Sequence, residues 1–415
     1  MATLNFMSHF GLLTLALWAC TVVVAAIVRN RQFATFLGVL LGIYSLLAAQ
    51  LLAALAAALP VAVPAFVFFH IVVFVNFLAL ARPRMRPLWY RLLVSWPGSA
   101  FTAGTLLSLP WGILLALGFH PWAPWLPYLA ALGGMIQSLT TRSDEIDLVV
   151  EGPGGSRIDV AAPHPHPRGD RREPRPLRIV QISDPHLGPF MSVARLRRIC
   201  ERAVKQNPDL IFLTGDFLTM ESQSDPDLLL RALEPLKAMK GRVFACFGNH
   251  DHEAPRIVKR ALASNDVTLL VDDACEIETD AGPVQIVGMD FTWRERKEHL
   301  ARVCAEHPRK PGMTRIVMLH DPGAFKHLPE GEGDLVLSGH THGGQVGLLS
   351  LGFSWTFLRL FGIKIPDHGF WARGTDRLYV HRGTGHYGFP LRLGVPAEES
   401  VIRIHRAAGA ATGTT

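Results

Sequence analysis

Leu335-Val336-Leu337-Ser338-Gly339-His340-Thr341-His342 runs from an apolar, strand-like segment straight into two histidines. Four upstream motifs share this build. They are Ser183-Asp184-Pro185-His186 after residues 177–182, Gly215-Asp216 after 210–213, Gly248-Asn249-His250 after 243–247, and Leu319-His320-Asp321 at the end of 316–319. Nearly every polar side chain in the five can bind a metal through oxygen or imidazole nitrogen, and none offers a thiolate. Such groups collect where strands of an open α/β sheet end. Between the motifs lie helix-periodic stretches at 194–204, 225–239, 256–263 and 298–306, and one more strand-like run at 284–287. This alternation predicts α/β architecture for the second half of the chain.

The first half is different. The chain has 415 residues, 49% of them apolar, and carries a formal net charge of +6. From Met1 to Thr141 there is no Asp, Glu or Lys; the charges are Arg29, Arg31, Arg82, Arg84, Arg86 and Arg91. Those six arginines account for the whole net charge. The remainder is balanced, which gives no support for nucleic-acid binding. The five cysteines are scattered, without a CxxC spacing, and read as free thiols.

Apolar runs of about 20 residues are needed to cross a bilayer as helix. Residues 12–28, 33–59, 61–80 and 101–119 qualify, and 122–139 is a weaker fifth interrupted by Pro124 and Pro127. The first run lacks a basic leader and is followed by further spans, so it does not read as a signal peptide. Arginines flank runs one and three on their C-terminal sides. The positive-inside rule therefore puts those loops in the cytoplasm. Five spans place the second half in the cytoplasm and four place it outside; five is the expectation. His70, inside the third run, reads as a histidine bonded to a neighbouring helix, with a functional role as the alternative.

The expected organisation is a membrane domain over 1–141, a Pro/Arg-rich linker over 142–176, the α/β domain over 177–406 and a disordered tail over 407–415. The linker stretch 162–172, Ala-Pro-His-Pro-His-Pro-Arg-Gly-Asp-Arg-Arg, cannot bury enough apolar surface to fold.

The ordered series DxH, GD, GNH, H, GHxH resembles the calcineurin-like metallophosphoesterases. With His340-Thr341-His342-Gly343-Gly344-Gln345, Gly383-Thr384-Gly385, Phe389-Pro390-Leu391-Arg392 and Pro396-Ala397-Glu398, it is similar to the membrane-associated, YkuE-type branch. The resemblance covers about 177–404. It implies a β-sandwich flanked by helices and a two-metal hydrolytic site. Asp184, His186, Asp216 and His342 would surround one cation; Asp216, Asn249, His320 and His340 would surround the other, with Asp216 shared. Such a pair neutralises a phosphate and lowers the pKa of water. Mixed Asp, Asn and His ligands suit manganese, iron or zinc. His250 would stand beside the phosphate as the catalytic group, on transition-state charge or the leaving oxygen. His252 reads as a surface histidine. Two departures stand out. Many relatives carry a second acid shortly after the GD motif, where this chain reads Asp216-Phe217-Leu218-Thr219, and Pro185 stiffens the first motif.

The implied activity is hydrolysis of a phosphoester or pyrophosphate, with a lipid-linked phosphate as one substrate class; related folds cleave the pyrophosphate of UDP-diacylglucosamine. The alternatives are a phosphodiesterase acting on cyclic nucleotides or other diesters and a membrane sensor or scaffold that binds without turnover. The segment 348–361, Leu-Leu-Ser-Leu-Gly-Phe-Ser-Trp-Thr-Phe-Leu-Arg-Leu-Phe, follows the last metal motif. It reads either as a core element or as an interfacial segment on the bilayer.

Overall fold

The computed structural model describes residues 2–149, 159–160 and 175–405. Most of the expected linker, and the tail over 407–415, lie outside the described residues. The chain forms two compact units. The first comprises Met1–Leu139 with two short later segments, Met220–Ser224 and Gly388–Leu393.

Its first three helices span Ala2–Val28, Arg31–Ala58 and Val63–Ala79. Asn30 separates the first two: its side chain accepts from the Phe33 amide at 2.8 Å, capping the second helix. All three are long and apolar enough to cross a membrane, the third counted from Pro60. Tyr44 and Thr14 clasp His70, at 3.1 Å from Nδ1 and 3.0 Å from Nε2. His70 thus pins three helices together, which is the structural reading of that residue.

The expected fourth span is a pair of helices, Leu88–Leu107 and Leu109–Ala116, bent by 48°. The expected fifth is shorter than required. Its helix, Leu126–Ser138, has 13 residues. That is about 20 Å of helix, against about 30 Å of hydrocarbon. Pro124 and Pro127 mark its late start.

In the second unit the strands are β1 (Thr141–Val149), β2 (Asp159–Val160), β3 (Leu177–Ile182), β4 (Leu210–Leu213), β5 (Val243–Ala245), β6 (Thr268–Leu269), β7 (Asp273–Thr279), β8 (Gly282–Gly288), β9 (Thr314–Met318), β10 (Leu335–Ser338), β11 (Gly369–Arg373), β12 (Asp376–Val380) and β13 (Ala397–His405). They build two sheets, ordered β1-β13-β3-β4-β5-β6 and β2-β11-β12-β10-β9-β8-β7. Ile179, Phe212 and Phe244 of one sheet share a core with Ile286, Ile316 and Leu337 of the other, so the sheets form a sandwich. On the outer face of the second sheet, Leu300 and Val303 of helix Arg296–Glu306 pack against Val287, Val317 and Val336. Helix Val193–Lys205 starts at Ser192, which accepts from the Arg195 amide, and buries Leu196, Ile199, Cys200 and Ala203 at helical spacing.

β3, β4 and β5 are mutually parallel, and so are β8, β9, β10 and β12. The five polar motifs follow the C-terminal ends of β3, β4, β5, β9 and β10. Thr141–Val149, read from sequence as the start of a linker, is instead an edge strand parallel to β13. The cysteines are free, with Cys200, Cys246 and Cys304 buried.

A buried cluster ties β12 to β13. Glu398 is 1% exposed and accepts from Arg382 Nε at 2.8 Å and from the Tyr379 hydroxyl; Arg382 also pairs with Asp144 of β1. Burial opposes the charge on Glu398, but Arg382 overcomes it and draws the carboxyl down to about 2. The folded value lies below the ordinary 4.5, so this stability is present above pH 4.5 and fades as pH falls toward 2. Glu398→Gln should lower the melting temperature at neutral pH and flatten the acid limb of stability against pH. An unchanged acid limb would remove the cluster from the account of acid sensitivity.

Candidate metal centre

Short loops at the strand ends hold the polar residues, and their backbone is unusual. Asp184, His186, Asp216, His340 and His342 all have positive φ, between 43° and 67°. Asp and His tolerate this left-handed region better than β-branched residues do. Crowding explains why the loops adopt it. A Cβ on Gly248 would lie 2.2 Å from Asp216 Oδ1, and one on Gly339 would lie 2.1 Å from Asp184 Oδ2. The loops pass one another at distances only glycine permits.

Two groups of donor atoms result. Asp184, His186 and His342 form one, and Asp216, His320 and His340 the other; within each the donor atoms lie within 4.8 Å of one another. Asp216 reaches both. Its Oδ2 is 3.3 Å from His320 Nε2 and 3.7 Å from His186 Nε2. Nε2 of His186 faces Nε2 of His342 at 3.2 Å, and His342 Nε2 is 3.4 Å from Asp184 Oδ1. His320 donates from Nδ1 to the Thr214 carbonyl at 2.6 Å, which fixes its tautomer and turns Nε2 into the site. The Asn249 side-chain oxygen and His320 Nε2 are buried without a hydrogen-bond partner. Buried polar atoms of this kind call for a partner. A cation fits: the donors are oxygen and imidazole nitrogen, of one chemical type, converging in two adjacent groups.

The electrostatics agree. Burial pushes the Asp184 carboxyl up to about 6 and holds His186 down to about 3. Burial also opposes ionisation of Asp216, but the His320 imidazole beside it holds this carboxyl low. Two carboxylates packed among imidazoles in so dry a place favour positive charge between them.

Six of the seven residues expected from sequence to ligate are brought together here, and Asn249 follows Gly248 on the loop beside Asp216 with its side-chain oxygen buried. Three others were not singled out. Asp251, fully buried, accepts amide hydrogen bonds from Asp216 at 2.7 Å, Phe217 at 2.9 Å and Gly248 at 2.8 Å, and so locks the second motif to the third. Glu253 accepts from His250 Nδ1 at 2.8 Å. Tyr387 stacks on the His250 ring, with centroids 4.2 Å apart. Only Asp251 had a local signal, a carboxylate directly after the GNH motif. His252 is half-exposed and pairs with Asp290 at 3.0 Å. The Gly383-Thr384-Gly385 extension also finds a use: the Thr384 and Gly385 amides donate to Ser183 and Asp184 carbonyls, bracketing the first motif.

A model of the family described as calcineurin-like phosphoesterase matches residues 177–344. An uncharacterized metallophosphoesterase of Bacillus subtilis, YkoQ, is 31% identical over 241 residues, covering 55% of this chain and 83% of that one. Phosphodiesterase YaeI of Escherichia coli is 29% identical over 235 residues, 55% of this chain and 82% of its own. UDP-2,3-diacylglucosamine pyrophosphatase LpxG of Chlamydia trachomatis is 28% identical over 281 residues, 55% of this chain and 83% of its own.

Proposed function

Because the chain belongs to the calcineurin-like metallophosphoesterase family, we propose that this metal-dependent hydrolase is membrane-anchored and cleaves a phosphoester or pyrophosphate bond in a lipid-linked substrate. The convergence of two donor groups on Asp216 carries the hydrolytic part. Asp184, His186, Asp216 and His342 would hold one divalent cation, and Asp216, Asn249, His320 and His340 the other; manganese, iron or zinc suits this set. The cations supply charge neutralisation and an acidified water.

The chain's own groups do the rest. Glu253 and Tyr387 hold the His250 ring, and the Glu253 contact fixes the proton on Nδ1. Burial opposes charge on this ring, but Glu253 raises its pKa, and among the described residues no hydrogen bond engages Nε2, so the imidazolium form has an Nε2 proton to donate to the departing oxygen. Glu253→Gln should cut turnover by about 10-fold to 100-fold on an alkyl phosphodiester, by analogy with orienting partners of ligands. It should cost much less on a nitrophenyl diester, whose leaving group needs no proton. Equal losses on the two esters would end the leaving-group role.

The lipid part rests on the segment after the last metal motif. Leu351, Phe353, Trp355, Phe357, Leu360 and Phe361 are all exposed, which goes against the core reading of 348–361 and supports the interfacial one. The pyrophosphatase named among the relatives agrees with it. Changing Trp355, Phe357 and Leu358 to Ser together should depress turnover of a lipid-linked ester by more than tenfold, taking about 1 kcal/mol or more for each lost side chain. Turnover of a soluble ester should stay nearly unchanged; equal losses on both would defeat the lipid assignment.

The side of the membrane follows from helix count. Counted as a crossing, the bent pair Leu88–Leu107 and Leu109–Ala116 takes the chain to the side opposite Arg29, Arg31 and Arg82; counted as re-entrant, it leaves three crossing helices, which return the chain to the side of those arginines. The positive-inside rule makes that side the cytoplasm. A reporter fused after Thr141 that is active only outside the cytoplasm should stay silent; its activity would put the catalytic unit on the other face.

A further inference from the structure

In the second unit, exposed large apolar side chains are concentrated in one place. Among the described residues beyond 140 they are Trp293, Tyr387 and nine between Leu348 and Ile365. Those nine are 37% to 70% exposed, with Leu351 and Phe361 at 70%. A short hairpin holds them out. Gly347 bridges Thr356, Gly352 turns with φ of 84°, and Thr356 caps the turn of helix Phe357–Leu360. The Thr356 hydroxyl and Arg359 both bind Asp367, at 3.0 Å for the Arg359 Nε contact, so the base of the hairpin is fixed. The exposed side chains are thus presented on a built scaffold.

The charge within this hairpin is of one sign. From Leu348 to Pro366 there is no acidic residue. A cavity of about 400 Å³ lies at its base, lined by apolar Ile363, Ile365 and Trp371 and by Lys326, Arg359 and Lys364. Asp367 neutralises Arg359, which also lies over the Trp371 ring. Lys326 and Lys364 are exposed, and among the described residues neither has a carboxylate within ion-pair distance. An apolar prominence beside unpaired lysines matches the two layers of a bilayer surface, acyl chain below and anionic headgroup above. The same chain carries membrane-crossing helices, so a bilayer is always at hand.

We propose that the Leu348–Ile365 hairpin inserts into the interface of an anionic bilayer and that Lys326 and Lys364 hold a phospholipid headgroup phosphate in the cavity at its base. The docking needs only the exposed side chains and the lysines. It is independent of what the metal centre cleaves, and the lipid in question is a structural one.

The test uses the full chain in vesicles, with a photo-crosslinking benzoylphenylalanine at Phe353, at Phe361 or, as a control, at exposed Glu278. The vesicles are phosphatidylcholine alone or an equal mixture with phosphatidylglycerol. Lipid adducts are expected at 353 and 361, with a higher yield on the anionic vesicles, and none at 278. Lys326→Gln with Lys364→Gln should remove the anionic excess, at about fivefold per lysine in low salt. Adding inorganic phosphate should leave the excess in place. Absence of adducts at 353 and 361 in protein that elutes as a single folded species would overturn the docking. An anionic excess that survives both lysine changes, or one abolished by inorganic phosphate, would overturn the headgroup assignment. Because adducts form on lipids that are not substrates, a failure of the lipid-substrate reading leaves this result untouched.

Discussion

Asp216→Asn should lower turnover by at least about 10³-fold, the scale on which single transition-state contacts act. The protein should also lose bound metal. Asp216 is 2% exposed and touches both donor groups through Oδ2, while its Oδ1 accepts the His250 amide at 2.9 Å. Asparagine keeps the shape and removes the charge. Whichever way the amide turns, an NH₂ group replaces an acceptor, either toward the imidazoles or toward the His250 amide. His340→Ala, in parallel, deletes one neutral donor from one group and should cost less metal. Metal content by elemental analysis and turnover of a phosphomonoester and a phosphodiester, with manganese or with chelator, read both effects. An Asn variant that keeps two metals per chain and most of its turnover would remove Asp216 as the shared ligand.

The second large effect is expected at a residue that touches no substrate. Asp251→Ala leaves three buried amides, those of Asp216, Phe217 and Gly248, without an acceptor. Each orphaned donor costs about 1–3 kcal/mol. Water entering the vacated space offsets part of the sum, so a net destabilisation of about 3–5 kcal/mol is expected. Asparagine is a poor remedy. Asp251 Oδ2 accepts from two of the amides and Oδ1 from the third, so an NH₂ in either place faces at least one donor. Because the carboxylate locks the Asp216 loop to the Gly248 loop, metal affinity should fall together with melting temperature. A normal melting temperature in the Ala variant would show that water satisfies these amides fully, and would end the locking argument.

Much of this site was legible because its chemistry is local. Each motif is a strand followed within two to four residues by a ligand type, and β3, β4, β9 and β10 sit within two residues of the apolar runs that predict them. Other features were hidden because they are relations across the chain. Thr141–Val149 pairs with Ala397–His405, and nothing in its own periodicity points to a partner more than 250 residues away. Glu253 shows its use only once a helical turn brings it back to His250. The apolar hairpin stayed open between two readings, because hydrophobicity reports what a side chain avoids, whereas its neighbours decide whether it is covered. The fifth apolar run falls short of a spanning length for a similar reason. A window over 122–139 averages across Pro124 and Pro127, while the helix itself starts only at Leu126, with Pro127 in its first turn.

The left-handed backbone at five of the metal-facing residues also constrains how such a site can change over generations. At Asp184, His186, Asp216, His340 and His342, valine, isoleucine and threonine are excluded by backbone geometry before chemistry is considered. Asparagine and glycine are the cheap neighbours. A descendant that gave up hydrolysis while keeping the fold would therefore carry Asn or Gly at these positions. Such a site would still offer oxygen and backbone amides to a phosphate without the charge to break it. Retirement from catalysis would leave a phosphate receptor behind.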